Sequence, residues 1–378
     1  MSSRFGLYVH VPFCSKRCDY CAFATWTDAE QSYRRYFQSV LKEYRHRKDM
    51  SDLAAATSLY FGGGTPSLVP PEYLGMLIDN LEVEEDAEIT VECNPESTTL
   101  KKLAAYKSFG VNRISFGLQS MSSDTLRTLG RDHDSGQIFK AIDSLGEAGF
   151  EDYSVDLIYG ASGESLKTLE DSINTVMNFP LPPTHISAYA LTVEQGTPLS
   201  KDLTRYPDED IQADAYDLID QMLESFGFKW YEISNWAKQG RHSRHNWNYW
   251  MQGEYLGLGC SAHSHLKFNR TWNIFNYQRY MDAVSTSTLA IAGSRQTMPA
   301  DRILEGLELL VRTRLGVPAD SFTSTVDIGH LLGSEQDTLR LTREGRRLAN
   351  QVSIRLDPSL IDSSRITSLQ SRDPWSNI

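Results

Sequence analysis

A chain of 378 residues with 40% hydrophobic and 23% charged residues has the make-up of a soluble globular protein, long enough for one large domain and a smaller one. Its formal net charge of -12 argues against a general binder of nucleic-acid backbones, which needs a basic surface. There is no apolar run of about 18 residues, so no membrane span is expected, and the opening MSSRFGLYVHVPF lacks the apolar core and cleavage site of a signal peptide; a cytoplasmic protein is the default expectation.

The first half alternates short apolar runs with longer helical patterns. Strands are expected at 5–11, 57–61, 88–92, 113–116, 153–158 and 185–191. Helices are expected between them at 29–47, 71–81, 98–109, 135–148 and 165–179. Such alternation implies an α/β fold with a parallel sheet and right-handed crossovers. Six strands suit an incomplete (β/α)6 barrel better than a closed eight-fold one.

Several of these strands end in polar or glycine-rich residues: Gly62-Gly63-Gly64-Thr65-Pro66, Glu92-Cys93-Asn94-Pro95, Gly117-Leu118-Gln119, and Asp156. Ligands collect at the carboxyl ends of parallel strands, so one site built from several strand ends is expected.

A helix is expected at 208–226, an aromatic-rich segment follows at 230–250, and 253–259 and 293–299 read as loops. The expected units are a core barrel over 1–240, a connecting segment over 241–299 and a small C-terminal unit over 300–356. In that unit Thr342 is placed to cap a helix that begins near Arg343. The Ser/Asp/Pro-rich remainder, 357–378, is expected to be disordered.

Five cysteines are present: Cys14, Cys18 and Cys21 clustered, Cys93 and Cys260 isolated. An odd count without a secretion signal argues against a disulfide framework and for metal or redox chemistry. The cluster reads CxxxCxxC in a loop just after a strand. An ordinary [4Fe-4S] cluster uses four thiolates, so three leave one iron open. That open iron suits the amino and carboxylate groups of S-adenosylmethionine, as a catalytic metal site keeps a vacancy for substrate. Structural zinc is the simpler alternative and would need a fourth ligand from elsewhere.

Tyr8-Val9-His10-Val11-Pro12-Phe13-Cys14 followed by CxxxCxxC resembles the radical-SAM family of HemN and HemW proteins, over most of the chain from Phe5 to about Val352. HemN is the oxygen-independent coproporphyrinogen III dehydrogenase, and HemW is a related heme chaperone. The resemblance implies a [4Fe-4S] cluster on Cys14, Cys18 and Cys21, with S-adenosylmethionine beside it. It carries over Tyr8 and Tyr20 as contacts. It also carries over Gly63, Gly64 and Thr65 of the glycine loop, where missing side chains allow close backbone approach to the methionine amine. Glu92, Gln119 and Arg131 fall to the methionine end, Arg131 with a fork suited to a carboxylate. Asp156 falls to the ribose hydroxyls and Ala190 to the adenine end.

Two features separate the branches. The dehydrogenase has a further cysteine two residues after the third, and Phe23 stands there in this chain. Arg244-His245-Asn246-Trp247-Asn248-Tyr249-Trp250 matches the HNxxYW signature of the HemW branch, and the stretch from Tyr255 to Ser264 is similar to HemW apart from Cys260-Ser261 ahead of Ala262. Both favour the chaperone. Heme carries two carboxylates and an iron that seeks imidazole or thiolate. His245 beside Trp247, Tyr249 and Trp250 is the expected axial ligand, with His263, His242 and Cys260 as competitors and Arg241 and Arg244 toward propionates. The implied partners are heme, an acceptor protein and an electron donor; no nucleic acid is expected. No residue is assigned a catalytic role. Leu341-Thr342-Arg343-Glu344-Gly345 matches the LTxxG turn of the family's small helical, winged-helix-like domain.

Overall fold

The computed structural model describes residues 4–286 and 289–375; residues 1–3 of the expected core barrel, 287–288 of the expected connecting segment and 376–378 of the remainder lie outside the described residues. Six parallel strands form in chain order: β1 (Phe5–Val11), β2 (Ala56–Gly63), β3 (Val83–Cys93), β4 (Arg113–Gln119), β5 (Tyr153–Tyr159) and β6 (His185–Ala190). They lie side by side in that order. Two short antiparallel strands, β7 (Lys229–Glu232) and β8 (Asn235–Ala237), follow β6. On the other side of β1 lie β9 (Glu254–Leu258), β10 (His263–Leu266), β11 (Asn269–Asn273) and β12 (Ile291–Gln296). The twelve strands make one open sheet running from β12 to β7, the incomplete barrel expected.

The two faces of this sheet differ in a way the strand pattern explains. Leu7, Val9, Leu59, Phe61, Ile89, Val91, Ile114, Phe116, Val155 and Ile186 point outward, and all are buried under the helices. The alternate positions carry Tyr60, Thr90, Glu92, Arg113, Ser115, Ser154, Asp156, His185 and Ser187, which face the concave interior. A period of two therefore separates a dry helix-covered face from a polar lumen.

The segment 253–259, expected as a loop, is instead the parallel strand β9, paired with β1 from Phe5↔Glu254 to Val9↔Leu258. Gly257 and Gly259 dilute its strand signal, yet Leu256 and Leu258 are fully buried against the helix Tyr33–Met50 side of the sheet. Gly257 is required there, because a Cβ would lie 2.1 Å from the His263 carbonyl oxygen. The segment 293–299 likewise begins inside β12.

The C-terminal unit holds the helix Pro299–Leu310, a three-stranded antiparallel sheet of β13 (Val317–Pro318), β14 (Leu332–Glu335) and β15 (Thr338–Leu341), and short helices. Thr342 caps the helix Arg343–Arg347, accepting from the Gly345 amide, as its position indicated. The core of this unit is shared with the barrel: Tyr231, Ala237, Trp247 and Met251 pack with Leu307, Leu310, Val317 and Val352.

The remainder after Asp357 is ordered as far as Trp375, against the expectation of disorder. It forms the helix Ser363–Gln370, which Asp362 caps. Ile361, Ile366 and Leu369 are buried in the shared core. Trp375 Nε1 lies 3.1 Å from His242 Nδ1, and Trp247 Nε1 donates to the Arg372 carbonyl at 3.1 Å. A few apolar residues at helical spacing suffice once a partner surface exists. Deleting residues 358–378 exposes that surface and removes roughly 4 kcal/mol or more of apolar burial. The expected result is a clearly lowered thermal midpoint; an unchanged midpoint would show that this segment contributes nothing.

Candidate functional site

The carboxyl ends of β1 to β6 enclose a cavity of about 550 Å³. Cys14, Cys18 and Cys21 line it from the loop that follows β1. The stem of that loop is pinned on both sides. The Cys14 amide donates to the Trp26 carbonyl at 3.0 Å, and the Trp26 amide to the Pro12 carbonyl at 2.8 Å. The Gly64 and Thr65 amides donate to the Val11 and Phe13 carbonyls, each at 2.8 Å.

The three thiols meet different neighbours. Thr65 Oγ1 is 3.6 Å from Cys14 Sγ, and Arg131 Nη1 is 3.4 Å from Cys18 Sγ. Burial pushes the Cys14 thiol up to about 11 and raises that of Cys21. Protonated thiols of this kind are converted to ligands by a bound cation that displaces the proton.

Among the described residues no three His, Cys, Asp or Glu side chains converge closely enough to hold one metal ion. A [4Fe-4S] cluster takes each thiolate on a different iron, and Cys14, Cys18 and Cys21 on one loop could supply three of its four ligands. Arg131 adds a second sign of fit: its Nε is buried without a partner. Its Nη2 donates to the Gly117 carbonyl at 3.2 Å. An anion in the cavity would satisfy the remaining N–H.

Two buried carboxylates stand on the lumen wall. Glu92 accepts from Tyr60 OH at 2.8 Å and from the Gly63 amide at 3.0 Å. Burial pushes its carboxyl up to about 7. Asp156 accepts from Ser115 Oγ at 3.1 Å, and burial raises its carboxyl too. Gln119 sits at a register shift that ends β4, with φ of 66°. A left-handed backbone on a non-glycine residue costs about 1 kcal/mol or more, and such strain concentrates at functional sites.

Tyr20, Gly63, Gly64, Thr65, Glu92, Gln119, Arg131, Asp156 and Ala190 line the same cavity as the three cysteines. The glycines are also needed for packing within the chain. A Cβ on Gly63 would lie 2.3 Å from His10 Nδ1, and one on Gly64 would lie 2.8 Å from the Val11 and Phe13 carbonyls. These glycines let the loop pack against β1 and so seat the cysteine loop.

Tyr8 and His245 are not on the cavity lining. Tyr8 stacks behind Tyr60 at 6.2 Å and lies 3.1 Å from His10 Nδ1 through its hydroxyl. His245 lies on the helix Arg244–Trp250, which closes the amino-terminal end of the strands. Glu88, midway along β3, accepts from the Arg244 and His245 amides at 2.9 and 3.0 Å, and Ser243 caps the helix. The His245 ring is 2.8 Å from Ser58 Oγ and 2.7 Å from Tyr249 OH, so both nitrogens are engaged. Burial pushes its imidazole down to about 3. For His245 to meet a heme iron, one of these two buried hydrogen bonds would have to break. His245→Ala is expected to destabilise the fold by roughly 2–4 kcal/mol, read by denaturant unfolding, because it leaves Ser58 and Tyr249 unpaired around a cavity.

Arg113, Ser115, Ser154, His185, Ser187 and Tyr189 also line the cavity and were not singled out from sequence. The available signal was polar residues at every second position of strands that are otherwise apolar on both faces.

Comparison with known proteins agrees with this architecture. The Radical SAM superfamily matches residues 8–176. The chain is 37% identical over 367 residues to the protein of Mycobacterium tuberculosis named Heme chaperone HemW, covering 92% of this chain and 93% of that one. It is 31% identical over 369 residues to the protein of the same name in Bacillus subtilis, covering 91% and 97%. In structure it resembles HemN of Escherichia coli, described as coproporphyrinogen III oxidase and a radical SAM enzyme. The TM-score is 0.81 at 20% identity, with 93% of this chain and 89% of that chain covered. That likeness speaks to the fold. With its cysteine loop, open barrel and 37% and 31% identity to two HemW proteins over more than nine-tenths of its length, the chain belongs to the HemW family within the radical-SAM superfamily.

Proposed function

We propose that this chain is a heme chaperone that binds heme and passes it to an acceptor protein. The observation that carries the reading is the 37% identity, over 92% of the chain, to a protein named as a heme chaperone. Phe23 adds to it. The side chain at the position of the dehydrogenase's extra cysteine is an apolar ring, 66% exposed at the cavity rim.

In this reading Cys14, Cys18 and Cys21 hold a [4Fe-4S] cluster with S-adenosylmethionine at the open iron. Bound together, cluster and S-adenosylmethionine supply radical chemistry through reduction of the sulfonium. The chain's own residues position and shield. Arg131 and Gln119 face the methionine carboxylate, Glu92 the methionine amine, Asp156 the ribose hydroxyls and Ala190 the adenine. Tyr20 closes that side by packing on Leu129, Leu191 and Leu199. An electron donor is required to reduce the cluster. Five free thiols suit a reducing compartment, in keeping with a cytoplasmic location. Among the described residues no helix is long and apolar enough to cross a membrane.

Anaerobic reconstitution with iron and sulfide, followed by heme titration with and without S-adenosylmethionine, tests the proposal. Stoichiometric heme binding is expected, with no protoporphyrinogen formed from coproporphyrinogen III. Turnover of that substrate would replace the chaperone reading with the dehydrogenase one.

A further inference from the structure

Beside the main cavity lies a smaller one of about 300 Å³. The β7–β8 hairpin, the helix Arg244–Trp250 and Leu309 of the helix Pro299–Leu310 wall it. Tyr189 and Asn246 line both cavities, so the two adjoin. The first helix contributes Asn246, Tyr249 and Trp250, which are spaced three and four residues apart and so share one face. The side cavity therefore sits where the barrel meets the C-terminal unit.

The hairpin brings a carboxylate into this wall with no cation beside it. Glu232 and Asn235 face each other across the turn and are 1% and 4% exposed. Glu232 accepts from the Asn235 side-chain amide, and from the Ser234 backbone N–H at 3.2 Å. Among the described residues no Lys, Arg or His pairs with it. Burial pushes its carboxyl up to about 7. With its NH2 turned to the carboxylate, Asn235 keeps Oδ1 on the other side, and that oxygen is buried without a partner. The Asn246 side-chain amide likewise has no hydrogen bond among the described residues. A buried charge without a counter-charge and a buried oxygen without a donor are both costly unless a ligand supplies what they lack.

We propose that this side cavity binds a small primary alkylammonium, with Glu232 as its counter-ion, Asn235 and Asn246 as its other acceptors, and Tyr249, Trp250 and Leu309 around its carbon chain. An ammonium has three donors and no acceptor, and the wall offers it three acceptors. Other occupants match less of this chemistry. Water brings donors but no charge. A metal cation such as calcium takes about six to eight oxygen ligands, whereas half of this wall is aromatic or aliphatic. Those side chains suit an alkyl chain, and the rings suit an organic cation. An anion is repelled by Glu232. The site is independent of the chaperone reading and goes beyond it.

Calorimetric titration of n-butylammonium chloride into the reconstituted protein is the test, with n-butanol as the uncharged probe and potassium chloride as the metal probe. Butylammonium is expected to bind about tenfold or more tighter than butanol, because the alcohol forms no charge-assisted hydrogen bond. Glu232→Gln is expected to erase that preference. Asn246→Ala is expected to weaken butylammonium severalfold at an unchanged thermal midpoint. Asn246 is half-buried and unbonded, so its variant reports on binding even where Glu232→Gln unsettles the hairpin. Glu92→Gln, in the main cavity, is expected to leave butylammonium binding as it is, which separates the side cavity from the methionine end. Bound butylammonium is also expected to raise the thermal midpoint of the wild type and not that of Glu232→Gln. Absence of butylammonium binding, equal affinity for butanol, or full affinity in both Glu232→Gln and Asn246→Ala overturns the inference. Potassium that binds and displaces butylammonium overturns it too, in favour of an inorganic cation. None of these results bears on the heme titration, so the chaperone reading survives a failure here.

Discussion

Replacing Cys14, Cys18 and Cys21 together by alanine is expected to abolish uptake of iron and sulfide on anaerobic reconstitution and to leave the protein colourless. The three thiols line one cavity and are presented by a loop whose stem is tied to β1 and to the glycine loop after β2. Cys93 and Cys260 cannot replace them, because both are buried in the outer core. The fold itself is expected to survive. The three cysteines are only partly buried and contribute nothing to the main hydrophobic cluster, so thermal unfolding of the apo protein should change little. This separates loss of the cluster from loss of structure. An intact brown cluster in the triple variant would sink the assignment. Stoichiometric zinc in the wild-type protein, with no sulfide, would do so from the other direction.

Glu92→Gln is expected to act on the same cavity in the opposite way, costing ligand binding while sparing stability. Burial pushes Glu92 up to about 7, above the ordinary carboxylate range. The folded chain therefore holds a proton between the usual value and about 7 that the unfolded chain has released. Stability of the ligand-free protein falls as pH rises across that window. The neutral amide removes this contribution, so the variant is expected to unfold at the same temperature as wild type or higher at pH 8. Binding responds with the reverse sign. An iron-bound amine would donate its N–H groups to this carboxylate, which accepts them best when ionised, so wild-type affinity for S-adenosylmethionine is expected to decline as pH drops below about 7. Losing one charge-assisted hydrogen bond costs roughly 1.5–3 kcal/mol, or about ten- to a hundredfold in affinity. Titration of the reconstituted protein at several pH values reads both effects. A variant that binds as tightly as wild type, with the same pH profile, would remove Glu92 from the ligand's surroundings.

His245 and His263 show what a sequence pattern leaves undecided. Both are imidazoles beside aromatic residues, and the signature around His245 is the more conspicuous. The fold puts His245 into the closed end of the barrel with both nitrogens bonded, and leaves His263 on an open face. Nothing local distinguishes them, because solvent access comes from strands and helices distant in sequence. The segment after Asp357 makes the same point. Its composition reads as disorder, yet Ile361, Ile366 and Leu369 meet a surface built by residues 231–352. β9 was obscured by two glycines whose need arises only when a neighbouring strand crosses close by.

What the amino-acid order determined by itself was local and periodic: three cysteines on one loop, six strands alternating with helices, and polar or glycine-rich endings on those strands. These are legible because spacing along the chain is enough to specify them. What only the tertiary structure decided was which polar groups face the lumen, which histidine is left free, where the sheet stops and that the C-terminal segment packs. Burial and pairing partners set those outcomes, and both are supplied by residues far away along the chain.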